Sequence, residues 1–174
     1  MAQSSDMEKT LKVINKMLRA GVIENYAIGG AVAAIYYIEP FDTANLDIFF
    51  RVTTRRALVS LSPLYDYLRD LGYHPRDEFV DIEGWPVQFL PSYNALTDEA
   101  LSQARKIKYG RTPTRVMRAE HLVAIMLDTG RPKDSARIGV FIEQGAFDMD
   151  ALSDILRRHH LTRKWRTYRK RFMS

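Results

Sequence analysis

The chain has 174 residues, 46% hydrophobic and 27% charged, a balance typical of a globular domain rather than a disordered segment. This length fits one domain, or one domain with a small helical appendage. The absence of cysteine excludes disulfide bonds and thiolate metal sites. No apolar stretch is long enough to span a bilayer, and the polar N-terminus does not have the pattern of a signal peptide. We therefore expect a cytoplasmic protein without membrane contact.

The net charge of +5 is concentrated at one end of the chain. Residues 157–174 hold eight Lys and Arg residues and no acid, whereas the remainder has 18 bases and 21 acids. Such a tail predicts electrostatic attraction to RNA or to an acidic protein partner. It also carries apolar residues at helical spacing: Leu161, Trp165, Tyr168 and Phe172. We expect this stripe to pack on the core while the bases face solvent, which is compatible with either partner.

The first half of the chain is predicted to mix helices and strands, from hydrophobic periodicity and from glycine and proline positions. In chain order the predicted elements are helix 7–20, strand 26–28, helix 31–37, strand 46–52, a helix from Ser62 to Gly72, and the hairpin strands 79–82 and 85–90. The join of the hairpin is Glu83-Gly84.

The second half is predicted to be helical. Its expected helices cover residues 97–108, 119–129, 133–144, 148–159 and 162–171. The sequence thus predicts an α+β (mixed α/β) fold: a small mixed sheet with flanking helices over residues 1–92, and a C-terminal helical region over 93–174 that packs on it.

Two polar side chains on one strand mark a candidate site. Side-chain direction on a strand repeats every two residues, so Asn45 and Asp47 point to the same face. Paired oxygen ligands suit a hard cation such as Mg²⁺, with phosphates completing its shell. Gly29 and Gly30, at the start of a predicted helix, leave backbone N–H groups open to a phosphate. Each signal is weak alone, because a glycine pair is often only a turn, but their order and spacing predict a nucleotide site.

The runs 28–31 and 46–49 resemble the nucleotidyltransferase superfamily, which has a DNA-polymerase-β-like core. Residues 120–134 resemble the helical part of its bacterial abortive-infection toxin-type members. The resemblance covers about residues 20–140. It implies that the chain binds a nucleoside triphosphate with Mg²⁺ and transfers a nucleoside monophosphate to a hydroxyl of a protein or an RNA.

The resemblance also assigns roles, and several of them fall on altered residues. The first metal-binding Asp of the family falls on Asn45, so the implied metal ligands are Asn45 and Asp47. The third carboxylate falls on a strand where Gln88 stands, with Asp81 on the neighbouring arm, or Asp42, as substitutes. These residues form the candidate catalytic set: Asp47, Asn45, Gln88 and Asp81.

The implied nucleotide-binding residues are Gly29, Gly30, Ala31, Arg131 and Lys133. Ala31 stands where the family usually has Ser or Thr. Asp134 remains, whereas Arg137 takes the place of a later acid. Arg51, Arg55, Arg56 and Arg111 are further candidates to face the phosphates.

Two functional hypotheses stay open. One is an active nucleotidyltransferase. The other is a catalytically degenerate relative that binds nucleotide, RNA or a protein partner without turnover, as part of a toxin–antitoxin or defence system. An Asn and a Gln are neutral ligands, so loss of two carboxylates weakens a two-metal site and removes the usual general base. A zinc site is not predicted, since His159 and His160 diverge on a helix and are expected to be a solvated pair.

Overall fold

The computed structural model of the chain describes residues 2–52 and 60–173, with side chains from residue 6 onward. The helices in these ranges are α1 (Ala2–Arg19), α2 (Gly30–Ile35), α3 (Ser62–Asp70), α4 (Ala95–Ser102), α5 (Ala119–Thr129), α6 (Pro132–Glu143), α7 (Met149–Arg158) and α8 (Thr162–Phe172). The strands are β1 (Asn25–Ile28), β2 (Leu46–Arg51), β3 (Pro75–Arg76), β4 (Phe79–Ile82), β5 (Trp85–Pro91), β6 (Arg105–Tyr109) and β7 (Thr112–Val116).

One mixed sheet organises the part of the chain that the structure describes. Its strand order is β3-β4-β5-β2-β1-β7-β6. Strands β1 and β2 are antiparallel, whereas β2 pairs with β5, and β1 with β7, in parallel. The α+β (mixed α/β) class predicted from the sequence is confirmed, and so is the hairpin of β4 and β5.

Strand β2 lies at the centre of the sheet, and its side chains alternate between the two faces. Leu46, Ile48 and Phe50 are fully buried on one face, and burial of each such side chain stabilises the fold by about 1.5–3 kcal/mol. Asp47 and Phe49 point to the opposite face. Helix α2 packs against β2, and the sequence therefore places a single carboxylate of the central strand beside the start of that helix.

Helix α5 connects the C-terminal helices to the sheet. It packs against α2, α4, α6, α7 and α8, as expected of a helix that is apolar on most sides. Gly130 ends α5 in the left-handed conformation, and Arg131 is the N-cap residue of α6. This sharp turn brings the first residues of α6 next to the open end of β2.

The predicted helix over 97–108 is wrong beyond Ser102. Residues 105–116 instead form the hairpin of β6 and β7, which extends the sheet on the side of β1. Ile107 and Tyr109 alternate with exposed Lys and Arg residues on β6. Because β6 is an edge strand, it carries few apolar residues and gives a weak strand pattern. Its Lys and Arg residues are also common in helices, which explains the wrong prediction. The region 93–174 is therefore not wholly helical, and a domain boundary at residue 92 stays a prediction.

Glu99 on α4 links this helix to α5 and to the end of α7 through side-chain hydrogen bonds. It accepts hydrogen bonds from Arg158 Nη2 at 2.6 Å, His159 Nε2 at 2.7 Å and His121 Nε2 at 3.0 Å. These partners, Arg158 foremost, hold the pKa of Glu99 at about 2. The expectation of a solvated histidine pair is wrong for His159, whose side chain is only 12% exposed.

The Glu99 cluster predicts a specific loss of stability in acid. The folded-state pKa of about 2 lies below the unfolded value of about 4.3, so the contribution of Glu99 is present above pH 4.3 and is lost as the pH falls towards 2. Urea unfolding at pH 7 and pH 3.5 measures it. We expect Glu99→Gln to be less stable than the natural chain at pH 7, and to lose less stability on acidification. Equal acid losses in both chains would contradict this, and Glu143→Gln, on an exposed residue, is the control.

Candidate functional site

The candidate site begins where β1 ends beside β2. Gly29 N donates to the backbone oxygen of Asp47 at 3.0 Å. Gly30 follows with φ +57°, and a Cβ at this position would lie 1.9 Å from Asp47 Oδ2. Both the backbone conformation and the close approach require glycine here. The structure therefore brings the glycine pair and the Asp47 carboxylate into direct contact.

Two amide side chains flank this carboxylate. Asn45 Nδ2 donates to Asp47 Oδ1 at 2.5 Å. Gln88 lies directly opposite Asp47 in the parallel pair of β2 and β5. The strands thus bring together the three positions at which the resemblance expects carboxylates, but only one of them is an acid.

The N-cap and the first two turns of α6 supply positive charge around a buried acid. Asp134 is 0% exposed and accepts from Arg131 Nε at 2.7 Å and from Arg131 Nη2 at 3.3 Å. Arg137 Nη1 lies 3.8 Å from the same carboxylate, and its guanidinium stacks over the Phe41 ring at 4.9 Å. Asp134 therefore orients two guanidinium groups at once.

Two adjoining cavities open at this point, and both are lined by Asp47, Gln88, Arg131 and Arg137. The first, which we call the apolar cavity, has a volume of about 240 Å³. Its apolar lining comes in part from α5, together with Phe49, Leu90, Met117 and Tyr93. The second, the polar cavity, has about 350 Å³. Its further lining includes Ala31, Asp42, Thr43, Asn45, Glu78 and Lys133. The arrangement offers an apolar compartment and a charged compartment joined at Asp47.

The pKa of the Asp47 carboxylate depends both on its burial and on the nearby cations of α6. Burial raises the pKa of Asp47 above its ordinary value, while Arg131, the hydrogen bond from Asn45, Lys133 and Arg137 oppose that rise. The guanidinium of Arg131 in turn has a raised pKa, first because it is hydrogen-bonded to Asp134. The site is thus a set of mutually interacting charges rather than one isolated acid.

The other residues named from the sequence are found in different places. Ala31, Asp42 and Lys133 line the polar cavity. Asp81 lines neither cavity, since it lies on the exposed side of β4 with Arg76 Nη2 at 2.6 Å from its Oδ2. The position of Asp81 gives no support to its predicted catalytic role.

Of the additional arginines, Arg51 pairs with Asp98 at 3.1 Å. Arg111 is in the turn of the β6–β7 hairpin, whereas Arg55 and Arg56 lie outside the described residues. Tyr93 and Glu78 are among the lining residues that sequence reasoning missed. Tyr93 follows the carboxyl end of β5, a position that often lines a ligand crevice, but nothing in the sequence singles out Glu78.

The residues of the site do not fit a resident pair of divalent ions. Among the residues that the structure describes, no three acidic, histidine or cysteine side chains are grouped as metal ligands. At the sheet the donor set is one carboxylate, Asp47, and two neutral amides. Two Mg²⁺ ions close together need several carboxylates to offset their mutual repulsion. Asp42 and Glu78 also line the polar cavity, but within the described ranges they form no ligand group with Asp47.

The basic tail forms α8, and most of its aromatic stripe packs inward. Leu161, Trp165 and Tyr168 are buried, as expected, whereas Phe172 is 51% exposed. The Trp165 and Tyr168 rings stack at 5.7 Å. Every Lys and Arg of α8 is exposed, so the bases face solvent as predicted.

None of the helices in residues 2–52 and 60–173 combines the length and apolar composition needed to cross a bilayer.

Comparison of the coordinates with solved structures identifies the fold. An antigenic nucleotidyltransferase-like protein from Paracoccidioides brasiliensis matches 80% of this chain and 75% of its own, with a TM-score of 0.56 and 13% identity. ANT(2'')-Ia in complex with adenylyl-2''-tobramycin matches over 92% of this chain and 99% of its own, with a TM-score of 0.55 and 16% identity. The solution structure of the antibiotic-resistance factor ANT(2'')-Ia matches over 99% and 98%, with a TM-score of 0.55 and 15% identity.

These likenesses define the class: the chain has the nucleotidyltransferase fold. The fold implied by the sequence resemblance is therefore confirmed, while the likeness to abortive-infection toxins stays a prediction. No protein-family model and no curated protein matches the sequence.

Proposed function

We propose that this protein binds a nucleoside triphosphate in the two joined cavities, and that it transfers nucleotide weakly or not at all. The observation that carries the proposal is the contact between Asp47 and Gly30 beneath the cations of α6. This juxtaposition, in a nucleotidyltransferase fold, supports a polyphosphate site more than any other ligand class.

The lining of the cavities supports one orientation of the nucleotide. A nucleobase is a planar aromatic ring with two apolar faces, which suit the α5 wall and Tyr93 of the apolar cavity. The phosphates then lie at the junction, near Arg131, Arg137 and Lys133. Arginine suits this position because its planar guanidinium donates two parallel hydrogen bonds to phosphate oxygens.

The same residues argue against efficient transfer. An acceptor hydroxyl must lose a proton as it attacks, and a carboxylate is the usual base. Gln88 stands opposite Asp47, and an amide cannot take that proton. Asp42 and Glu78 line the polar cavity, so they are the remaining acids near an acceptor.

Calorimetry with each of the four ribonucleoside triphosphates tests the proposal. We expect saturable binding of at least one nucleotide, weakened by Arg137→Ala and unchanged by Arg69→Ala, whose exposed side chain pairs with Asp66 on α3. If none of the four nucleotides binds with or without Mg²⁺, the proposal is wrong and the chain is a scaffold without nucleotide.

A second candidate is transfer of a nucleoside monophosphate to a hydroxyl on an RNA or a protein. The match with ANT(2'')-Ia, which was solved with adenylyl-2''-tobramycin, supports nucleotidyl transfer as a reaction, while the RNA or protein acceptor comes from the sequence resemblance. Radiolabelled transfer by the natural chain, lost in Asp47→Ala, would establish this activity and overturn the degenerate alternative. No labelling by the natural chain, with labelling gained in an Asn45→Asp, Gln88→Asp double variant, would establish loss of two carboxylates as its cause.

The exposed bases of α8 support a further proposal, that this helix binds the phosphate backbone of RNA. Arg163, Arg166 and Arg169 recur every three residues along an exposed side of the helix. In the described ranges none of these three forms an ion pair with an acid, in contrast to Lys164, which binds Asp128 at 2.8 Å. Such cations bind phosphates by releasing counterions.

Fluorescence anisotropy with a labelled single-stranded RNA measures this interaction. Replacing Arg163, Arg166 and Arg169 with alanine should weaken binding and reduce the salt slope by about 2. The same charge change on α1, at Lys9, Lys12 and Lys16, is the control. Equal losses in both triple variants would mean that net charge alone matters, and would contradict a specific role of α8.

A further inference from the structure

The side chains around Asp47 carry less negative charge than a site for two metal ions requires. Asn45 points its amide nitrogen at Asp47, since Nδ2 donates to Oδ1, and Gln88 adds no charge on the other side. Asp134, the other acid of the apolar cavity, already accepts two hydrogen bonds from Arg131. Asp47 is therefore the single carboxylate available at the sheet. Asp42 and Glu78 also line the polar cavity, but no three acids of the described residues are grouped as metal ligands, whereas two ions need several carboxylates close together.

Positive side chains converge on the place that the ions would neutralise. Arg131, Lys133 and Arg137 all line the polar cavity, and the charges of all three act on Asp47. They come from the N-cap and the first two turns of one helix. A single rigid element thus presents three cations to the carboxylate and to any phosphate beside it.

Two of these cations are held in position before any ligand arrives. Asp134 is fully buried and binds Arg131 through Nε and Nη2. Arg137 is anchored twice, by the Asp134 carboxylate at 3.8 Å and by the Phe41 ring at 4.9 Å. Pre-oriented donors lose less conformational freedom on binding than free surface side chains do.

We infer that the phosphates of the bound nucleotide are held by the guanidinium and ammonium groups of α6, and not by a divalent metal ion. The inference rests on the proposed nucleotide binding and specifies how that binding is achieved. Without a metal ion between them, the Asp47 carboxylate and the phosphates repel each other. Removing the Asp47 charge should then maintain or strengthen binding, whereas in a metal-dependent site it removes a ligand and weakens binding.

Calorimetry with ATP in two buffers, one with EDTA and one with excess Mg²⁺, tests the inference. For the natural chain we expect dissociation constants within about threefold of each other. Asp47→Asn should bind ATP in EDTA at least as tightly as the natural chain does. Arg137→Ala should bind about tenfold more weakly in EDTA, the effect of one lost charge-assisted hydrogen bond.

The Asn45→Asp variant is the reverse test of Asp47→Asn, because it adds a negative charge at the same site. It should weaken ATP binding in EDTA and recover part of that loss in Mg²⁺, and circular dichroism checks that each variant is folded. Binding of ATP only in Mg²⁺, abolished by Asp47→Asn, would overturn the inference and leave the proposed function standing. Absence of binding in both buffers would overturn both.

Discussion

The Gly30→Ala variant is expected to lose about 3 kcal/mol of unfolding free energy, together with its nucleotide binding. Gly30 has φ +57°, which costs an L-residue about 1–2 kcal/mol. A Cβ would also meet Asp47 Oδ2 at 1.9 Å, and such overpacking costs about 1–3 kcal/mol more. The added methyl group and the displaced carboxylate both occupy space beside the glycine turn where the phosphates are proposed to lie, so nucleotide binding should be lost even if the protein stays folded.

Urea unfolding and ATP calorimetry measure the two losses. Gly21→Ala is the matched control, since Gly21 has φ +71° and nothing lies within 4 Å of its added Cβ. It should lose only about 1 kcal/mol and bind ATP normally. If Gly30→Ala were no less stable than Gly21→Ala, the close contact with Asp47 would not exist in solution.

Asp134→Ala is expected to have the second largest effect. Its carboxylate is fully buried and holds Arg131, with Arg137 close by. Removing one partner of a buried ion pair is strongly destabilising, but Arg131 is 54% exposed and can be rehydrated, so we expect a loss of about 2 kcal/mol. The two guanidinium groups also lose their orientation, and ATP should bind about tenfold more weakly.

The control for Asp134→Ala is Asp154→Ala. Asp154 pairs with Arg157 at the same i,i+3 spacing, but both side chains are exposed. Exposed pairs contribute about 0–1 kcal/mol, so this variant should unfold at nearly the same urea concentration as the natural chain. Equal stability of Asp134→Ala and Asp154→Ala would show that the buried pair does not organise α6.

The sequence predicted the central part of the fold because local signals and tertiary packing agree there. The glycine pair ends β1, and alternating apolar residues on β2 place Asn45 and Asp47 on one face. The resemblance placed Gln88 on a neighbouring strand, but its register directly opposite Asp47 was not predicted. These elements are buried, and their hydrophobic patterns are therefore strong.

The remaining features depend on contacts between distant residues. Strand β6 reads as helical because its Lys and Arg residues favour helices, and only pairing with β7 makes it a strand. Glu99 binds Arg158 and His159, which follow it in the sequence by 59 and 60 positions. No local pattern reveals contacts over such separations. The pairs of Asp134 with Arg131 and Arg137 have local i,i+3 spacing, but the complete burial of Asp134 results from the packing of α6 in the folded chain.

The central claim is that the glycine turn, Asp47 and the start of α6 form one nucleotide site. Hydrogen–deuterium exchange with and without ATP tests it most directly, because bound phosphates slow exchange of the amides that they cover or order. We expect protection of residues 29–35 and 131–137 together, and little change in α8. Saturating ATP that protects neither segment, or protects only residues 162–172, would contradict it.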